Sequence, residues 1–274
     1  MYDFYFTDRK NIKNDPEKFL IFVKRLMPRW VNGIPDSECI AIYKLLDKLR
    51  KKSKKKLNLL ETGCGASTIA MYLHCSLYGG QVFSWDTNPS KGSFLRSLLL
   101  ESVDKVLGTN VNNIWTFISY DSTDKHVGLE VLKELNIKAD FCFFDSLHTL
   151  NHLFEEIKCF EKVSSKKFML ALDDAYYRKK NKNYSYLNMI RKKINLKKII
   201  EPKNNVCLPF YLEIKKYLNQ KYTKVVLEKN YFKKNYKNDI FFDYYSSDRI
   251  FLNKMGMEEK QKLKNRFEAL YVEK

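Results

Sequence analysis

From Leu57 onward, short apolar runs with strand character alternate with stretches in which apolar residues recur at helical spacing. "LNLLET" (57–62) is followed by an amphipathic stretch over 67–77, and "QVFSWD" (81–86) by a helical run through 94–103. "IWTFISY" (114–120) precedes a helical pattern at 127–136, and "ADFCFFD" (139–145) precedes another at 153–163. "KFMLALDD" (167–174) closes the series. Five strands separated by helices predict parallel pairing through right-handed crossovers, and so an α/β fold with a doubly wound, mostly parallel sheet. The strands are apolar nearly throughout, as expected when both faces are covered.

The flanks read differently. Residues 1–56 form a helical N-terminal extension, with Asp15-Pro16 and Asp36-Ser37 as helix starts, joined to the sheet by the basic run 50–56. After Asp174 comes a basic, tyrosine-rich run, then helical patterns near 186–195 and 209–219. Strand-like segments follow at 222–230 and 239–253, before a charged stretch. The organisation expected is a helical extension (1–56), one α/β domain (57–255) with a lid or insertion at 175–220, and a C-terminal helix (256–274).

Composition narrows the function classes. A chain of 274 residues that is 45% hydrophobic has ample material for a core. The net charge of +18 invites a polyanionic partner, but only nine of the fifty basic residues are Arg, the side chain that reads phosphates and bases bidentately. Nucleic acid is therefore disfavoured as a partner. The six cysteines (Cys39, Cys64, Cys75, Cys142, Cys159, Cys207) form no CxxC pair and read as buried, reduced thiols. With no apolar targeting segment or membrane-spanning run, a cytoplasmic location is expected.

In an open parallel sheet the ligand lies beyond the carboxyl ends of the strands. Here those ends carry Glu61, Asp86, Asp121, Asp145 and the pair Asp173-Asp174, so every one has a carboxylate. Acids gathered on one edge call for hydroxyls, amines or a cation to meet them. Gly63 and Gly65 allow a close approach to the main chain, and Asp86 stands about 25 residues after the first strand end, where an acid meets ribose hydroxyls. A dinucleotide cradle is excluded on two counts. The third glycine of GxGxxG is absent, Thr68 standing in its place, and Glu61 would repel a pyrophosphate.

"ETGCGAST" (61–68) is similar to motif I of the class I S-adenosylmethionine-dependent methyltransferases. "FCFFDSLHTLNHLFEEI" (141–157) resembles the DGxHxY stretch of their small-molecule O-methyltransferase branch, which includes macrolide-sugar O-methyltransferases and cephalosporin-hydroxylase-like proteins. "LALDDAYY" (170–177) resembles the paired acids of that branch. The resemblance implies a seven-stranded, Rossmann-like sheet whose last strand is antiparallel, supplied from 222–253. It further implies that Glu61, Gly63, Gly65 and Ser67 lie against the methionine and ribose of S-adenosylmethionine, that Asp86 binds the ribose diol, and that Asp121 or Ser122 meets the adenine amine. Two departures stand out: Ser67 replaces a third glycine, and Ser146 replaces the glycine after the strand-four acid.

For a hydroxyl acceptor the proton must leave to a base or under the influence of a cation. Asp145, Asp173 and Asp174 offer the hard oxygens that Mg²⁺ prefers, and members of the branch hold such an ion there. Asp145 and His148 are the candidate catalytic groups, the imidazole because it titrates near neutrality. His148, His152 and Glu156 at i, i+4 and i+8 lack the further ligands of a zinc site. The basic run Arg178–Lys182 with its neighbouring tyrosines reads as a solvated loop, or as a lid over an anionic acceptor such as a nucleotide-linked sugar. The expected function is methyl transfer to a hydroxyl of a small, sugar-like or anionic acceptor. An RNA methyltransferase on the same fold and a non-catalytic cofactor-binding scaffold are the alternatives; whether copies of the chain associate is left open.

Overall fold

The computed structural model describes residues 8–147, 149–173, 175–178, 189–194, 207–228 and 267–274. Five parallel strands follow the sequence pattern closely: β1 (Leu57–Thr62), β2 (Gly80–Trp85), β3 (Trp115–Ile118), β4 (Ala139–Phe144) and β5 (Ser164–Leu172). A short antiparallel pair, β6 (Tyr176–Arg178) and β7 (Cys207–Pro209), stands apart from the main sheet. The sheet is completed by β8 (Lys224–Glu228) and β9 (Glu268–Glu273), giving the order β3-β2-β1-β4-β5-β9-β8. Only β9 runs antiparallel to its neighbours on both sides. This is the seven-stranded, mostly parallel, Rossmann-like methyltransferase sheet that the resemblance implies.

The antiparallel strand does not come from where the sequence placed it. Residues 268–273, expected within a C-terminal helix, are strand β9, paired with β5 from Lys167↔Glu273 to Leu172↔Glu268. The reason is burial: Ala269, Leu270, Tyr271 and Val272 are all buried, so the segment faces protein on both sides, which suits an inner strand and not a charged surface helix. Of the two late strand-like segments, 222–230 supplies the edge strand β8, and 239–253 lies outside the described residues.

Helices α1 (Arg9–Asn14), α2 (Pro16–Lys24) and α3 (Asp36–Ser53) make up the N-terminal extension. Asp8 caps α1 through the Asn11 N–H, and Pro16 opens α2, where its missing N–H costs nothing. A buried ion pair, Lys24 Nζ to Asp36 Oδ1 at 3.0 Å with Arg25 on the other carboxylate oxygen, ties α2 to the start of α3. Helix α4 (Ala66–Tyr78) was expected to be amphipathic but is buried from Ala66 to Leu77, because α2 and α3 cover the face that would otherwise meet water.

Helix α5 (Pro89–Leu99) runs through a π-helical turn (Leu100–Asp104) into α6 (Lys105–Leu107), and α7 (Val111–Ile114) leads into β3. The helical pattern at 127–136 yields only α8 (Val131–Glu134), whereas α9 (Leu150–Val163) and α10 (Phe210–Asn219) are full helices. One core joins α1–α5 to one face of the sheet; the second packs α9, α10 and β8 on the other. No helix among the described residues is long and apolar enough to cross a membrane.

Candidate functional site

The parallel ladder runs one residue past each strand and lines up the carboxyl ends. Gly63 N–H donates to Trp85 O (2.7 Å), Asp86 N–H to Ile118 O (3.2 Å), Asp145 N–H to Thr62 O (2.8 Å) and Asp173 N–H to Phe144 O (3.0 Å). Gly63, Asp86, Asp145 and Asp173 therefore share one edge, centred on β1 and β4, where the strand order reverses. That reversal point is where open α/β sheets bind ligands.

The loop between β1 and α4 is built around Glu61. Its carboxylate is fully buried and accepts hydrogen bonds from Ser67 Oγ (2.5 Å), Ser84 Oγ (2.5 Å) and Thr68 Oγ1. Ser84 in turn accepts from the Trp115 indole (2.7 Å), and Thr68 Oγ1 accepts from Gly65 N–H (3.0 Å), so one acid fastens β2, β3 and the first turn of α4. Burial pushes its pKa up to about 7 against the lowering pull of the three hydroxyls, and the charge of Asp86 adds to the rise. Glu61 and Ser67 thus spend their polar atoms on each other. These contacts hold the loop between β1 and α4 in shape.

The two glycines answer to neighbouring backbone. Gly63 has φ +88, and a Cβ there would sit 1.9 Å from the Asp145 carbonyl oxygen. A Cβ on Gly65 would lie 2.6 Å from the carbonyl of Val31, in the segment that joins α2 to α3. Beside it, Cys39 Sγ donates to Ala66 O (3.3 Å), and Trp30 packs on Phe94 of α5 with ring centroids 5.6 Å apart. The N-terminal extension therefore forms a wall of the cradle.

Asp86 is buried at the end of β2. Its Oδ2 accepts from Cys64 N–H (3.1 Å) and from Lys91 Nζ (2.7 Å); its Oδ1 accepts from Asn88 N–H (2.8 Å). Burial alone would lower the Lys91 ammonium, but the hydrogen bond and charge of Asp86 hold its pKa above the ordinary value. Nothing in the sequence marked Lys91, whose role depends on α5 turning it back over the strand end.

At the β3 end, Asp121 is exposed and accepts from Thr123 N–H and Oγ1, both at 2.7 Å, and the hydroxyl contact leads in lowering its pKa. Ser122 is buried and gives its hydroxyl to Glu156 of α9. Glu156 also accepts from Ser146 Oγ (2.7 Å) and lies 3.4 Å from His152 Nε2. Ser146, a departure from the family pattern, thus has a partner that glycine could not meet. The sequence offered Glu156 only as part of a rejected zinc face; the structure makes it the anchor that joins the ends of β3 and β4 to α9. It raises the His152 pKa by hydrogen bonding.

Asp145 and Asp173 follow the paired residues Phe144 and Leu172, so they occupy adjacent strand ends. A cavity of about 20 Å³, room for one water, is lined by Asp173 together with Ser146, Leu147, Leu153, Glu156 and Phe210. His148 and Asp174 lie outside the described residues, as do 179–188 and 195–206 of the lid expected at 175–220. Among the described residues no three His, Cys, Asp or Glu side chains come close enough to hold a metal ion. Cys39, Cys64, Cys75, Cys142 and Cys159 are free thiols, the first four buried.

Residues 60–175 match a family described as "Methyltransferase domain". No curated protein matches the chain. Among solved structures, it resembles the O-methyltransferase from Bacillus cereus in complex with SAH, at 14% identity over 85% of this chain and 80% of that one (TM-score 0.44). It also resembles the magnesium protoporphyrin IX methyltransferase ChlM from Synechocystis PCC 6803 with bound SAH, at 13% identity over 87% and 84% (TM-score 0.43). At such identities and scores, the match over 60–175 and the site itself carry the functional reading.

Proposed function

From residues 60–175 forming a class I, S-adenosylmethionine-dependent methyltransferase domain, we propose that the protein transfers a methyl group to a hydroxyl of a small, sugar-like or anionic acceptor. The observation that carries the reading is the Asp86 carboxylate, hydrogen-bonded to the Gly63–Gly65 loop through Cys64 N–H at the point where the strand order reverses. A buried carboxylate there suits a ribose diol, and the neighbouring acids suit a positively charged cofactor.

Methyl transfer from a sulfonium is an in-line displacement, so alignment supplies much of the rate. The acceptor would lie over β4 and β5, with Asp145 and His148 as the catalytic groups and the His148 imidazole as the base that would take up the hydroxyl proton. Asp145 and Asp173, with Asp174, are the side chains that would hold a Mg²⁺. The ion would supply charge that favours the deprotonated hydroxyl. Asp145 and Asp173 follow paired residues of adjacent strands, and an ion held by so few protein oxygens would keep several waters. Cationic and aromatic residues following Asp174 favour an anionic acceptor.

Two experiments test this. In calorimetric titration, the wild-type protein binds S-adenosylmethionine and S-adenosylhomocysteine, and Asp86→Asn weakens both by about tenfold or more, the loss of a charged hydrogen-bond acceptor. Absence of binding to the wild type ends the reading. Asp173→Asn leaves cofactor affinity unchanged but lowers kcat by about 10²-fold, and chelation by EDTA lowers wild-type kcat in the same way. Activity untouched by EDTA removes the ion from the mechanism.

A further inference from the structure

Lys91 sits where a cation is out of place. Asn88 caps α5, its side chain accepting from Ser90 N–H, so Lys91 occupies the third position of the first turn. The positive end of the helix dipole disfavours a cation there. What offsets the cost is Asp86, 2.7 Å away, and the ammonium also feels the charge of Asp145 across the mouth of the cradle.

The acceptor capacity of Asp86 makes this contact consequential. A carboxylate offers about four lone-pair directions, and Cys64 N–H, Asn88 N–H and Lys91 Nζ take three. A ribose diol needs two. The backbone donors belong to the loop and to the helix start and cannot leave, whereas the Lys91 side chain is 26% exposed and sits on a flexible stem. The ammonium is thus the donor that can yield, and its attachment to the first turn of α5 keeps it within a side chain's length of Asp86.

We propose that Lys91 occupies the ribose seat on Asp86 in the free protein, is displaced when the cofactor binds, and then sets the preference between the charged cofactor and its demethylated product. The inference rests on the cofactor reading above. S-adenosylmethionine carries a sulfonium, an ammonium and a carboxylate, a net charge of +1; loss of the methyl group leaves a thioether and a net charge of zero. A lysine near the bound ligand repels the first and not the second, so it favours release of substrate cofactor relative to product.

The test is calorimetric titration of S-adenosylmethionine and S-adenosylhomocysteine into wild type, Lys91→Met, Lys91→Gln and Lys91→Arg at low salt. The ratio of Kd for S-adenosylmethionine to Kd for S-adenosylhomocysteine falls roughly fivefold in the Met and Gln variants, the effect of one charge a few ångströms away, and is retained in the Arg variant. Added salt shrinks the difference between wild type and Lys91→Met. An unchanged ratio in both neutral variants, or weaker binding of both ligands, overturns the role of Lys91 while leaving the cofactor reading intact. Wild-type protein that binds neither ligand overturns both.

Discussion

Gly63→Ala is expected to lose measurable cofactor binding and to lower unfolding free energy by roughly 2–4 kcal/mol. The backbone at Gly63 has φ +88, a region that costs a residue with a Cβ about 1–2 kcal/mol before any contact is counted. The added methyl would then sit 1.9 Å from the Asp145 carbonyl oxygen. That oxygen cannot move aside cheaply, because Asp145 N–H is held by Thr62 O and the preceding carbonyl by Asp173 N–H. The strain must be relieved by shifting the loop that carries Cys64 N–H to Asp86, which is the proposed ribose seat. Gly108→Ala is the control: φ is +64, but nothing lies within 4 Å of its Cβ, so it costs about 1 kcal/mol and spares binding. Urea unfolding and calorimetric titration of the two variants separate the cases. Equal stability of the two would refute the steric account.

The second large effect is a dependence on pH. Glu61 has a folded pKa of about 7 against 4.5 for the unfolded chain, raised by burial. The folded protein therefore holds this proton more tightly. The stability it contributes is fully present below pH 4.5 and is lost as the pH rises through 7. At about 1.4 kcal/mol per pKa unit the loss is on the order of 3 kcal/mol. Glutamine keeps the shape but does not titrate, and the hydroxyls of Ser67, Thr68 and Ser84 can turn to meet it. The destabilisation caused by Glu61→Gln should therefore be greatest near pH 5 and shrink steadily toward pH 7.5. Denaturant curves of both proteins across that range measure it. Parallel pH profiles would show that Glu61 does not titrate there.

Much of the frame was legible because strand and helix periodicities are local. β1, β2 and β4 fall within a residue of the apolar runs that predicted them, and the acids at their ends fall on one edge because parallel strands end in step. Legibility failed where the deciding contact depends on how the folded chain turns one side chain or carbonyl onto another. Ser67 and Ser146 read as departures from a glycine pattern, yet each hydroxyl meets a buried carboxylate, Glu61 and Glu156 respectively. Gly65 gave no sign in the sequence that its Cβ side faces the Val31 carbonyl, 34 residues earlier in the chain. The segment 268–273 read as charged helix because its ends carry Glu268, Glu273 and Lys274, while pairing with β5 supplies the backbone partners that make it a strand.

By itself, the sequence determined the alternation of strands and helices and the carboxylates at the strand ends. These depend on periodicity and charge, which act over a few residues. Tertiary structure alone decided that Glu61 is a buried fastening, that Asp86 faces Lys91, that Glu156 anchors two strand ends, and that the N-terminal extension walls the cradle. Each of those facts is a distance of a few ångströms set by how backbone and side chains turn back on one another, whether Asp86 on Lys91 within one turn of chain or Glu156 on Ser122 across two elements, and only the folded geometry fixes it.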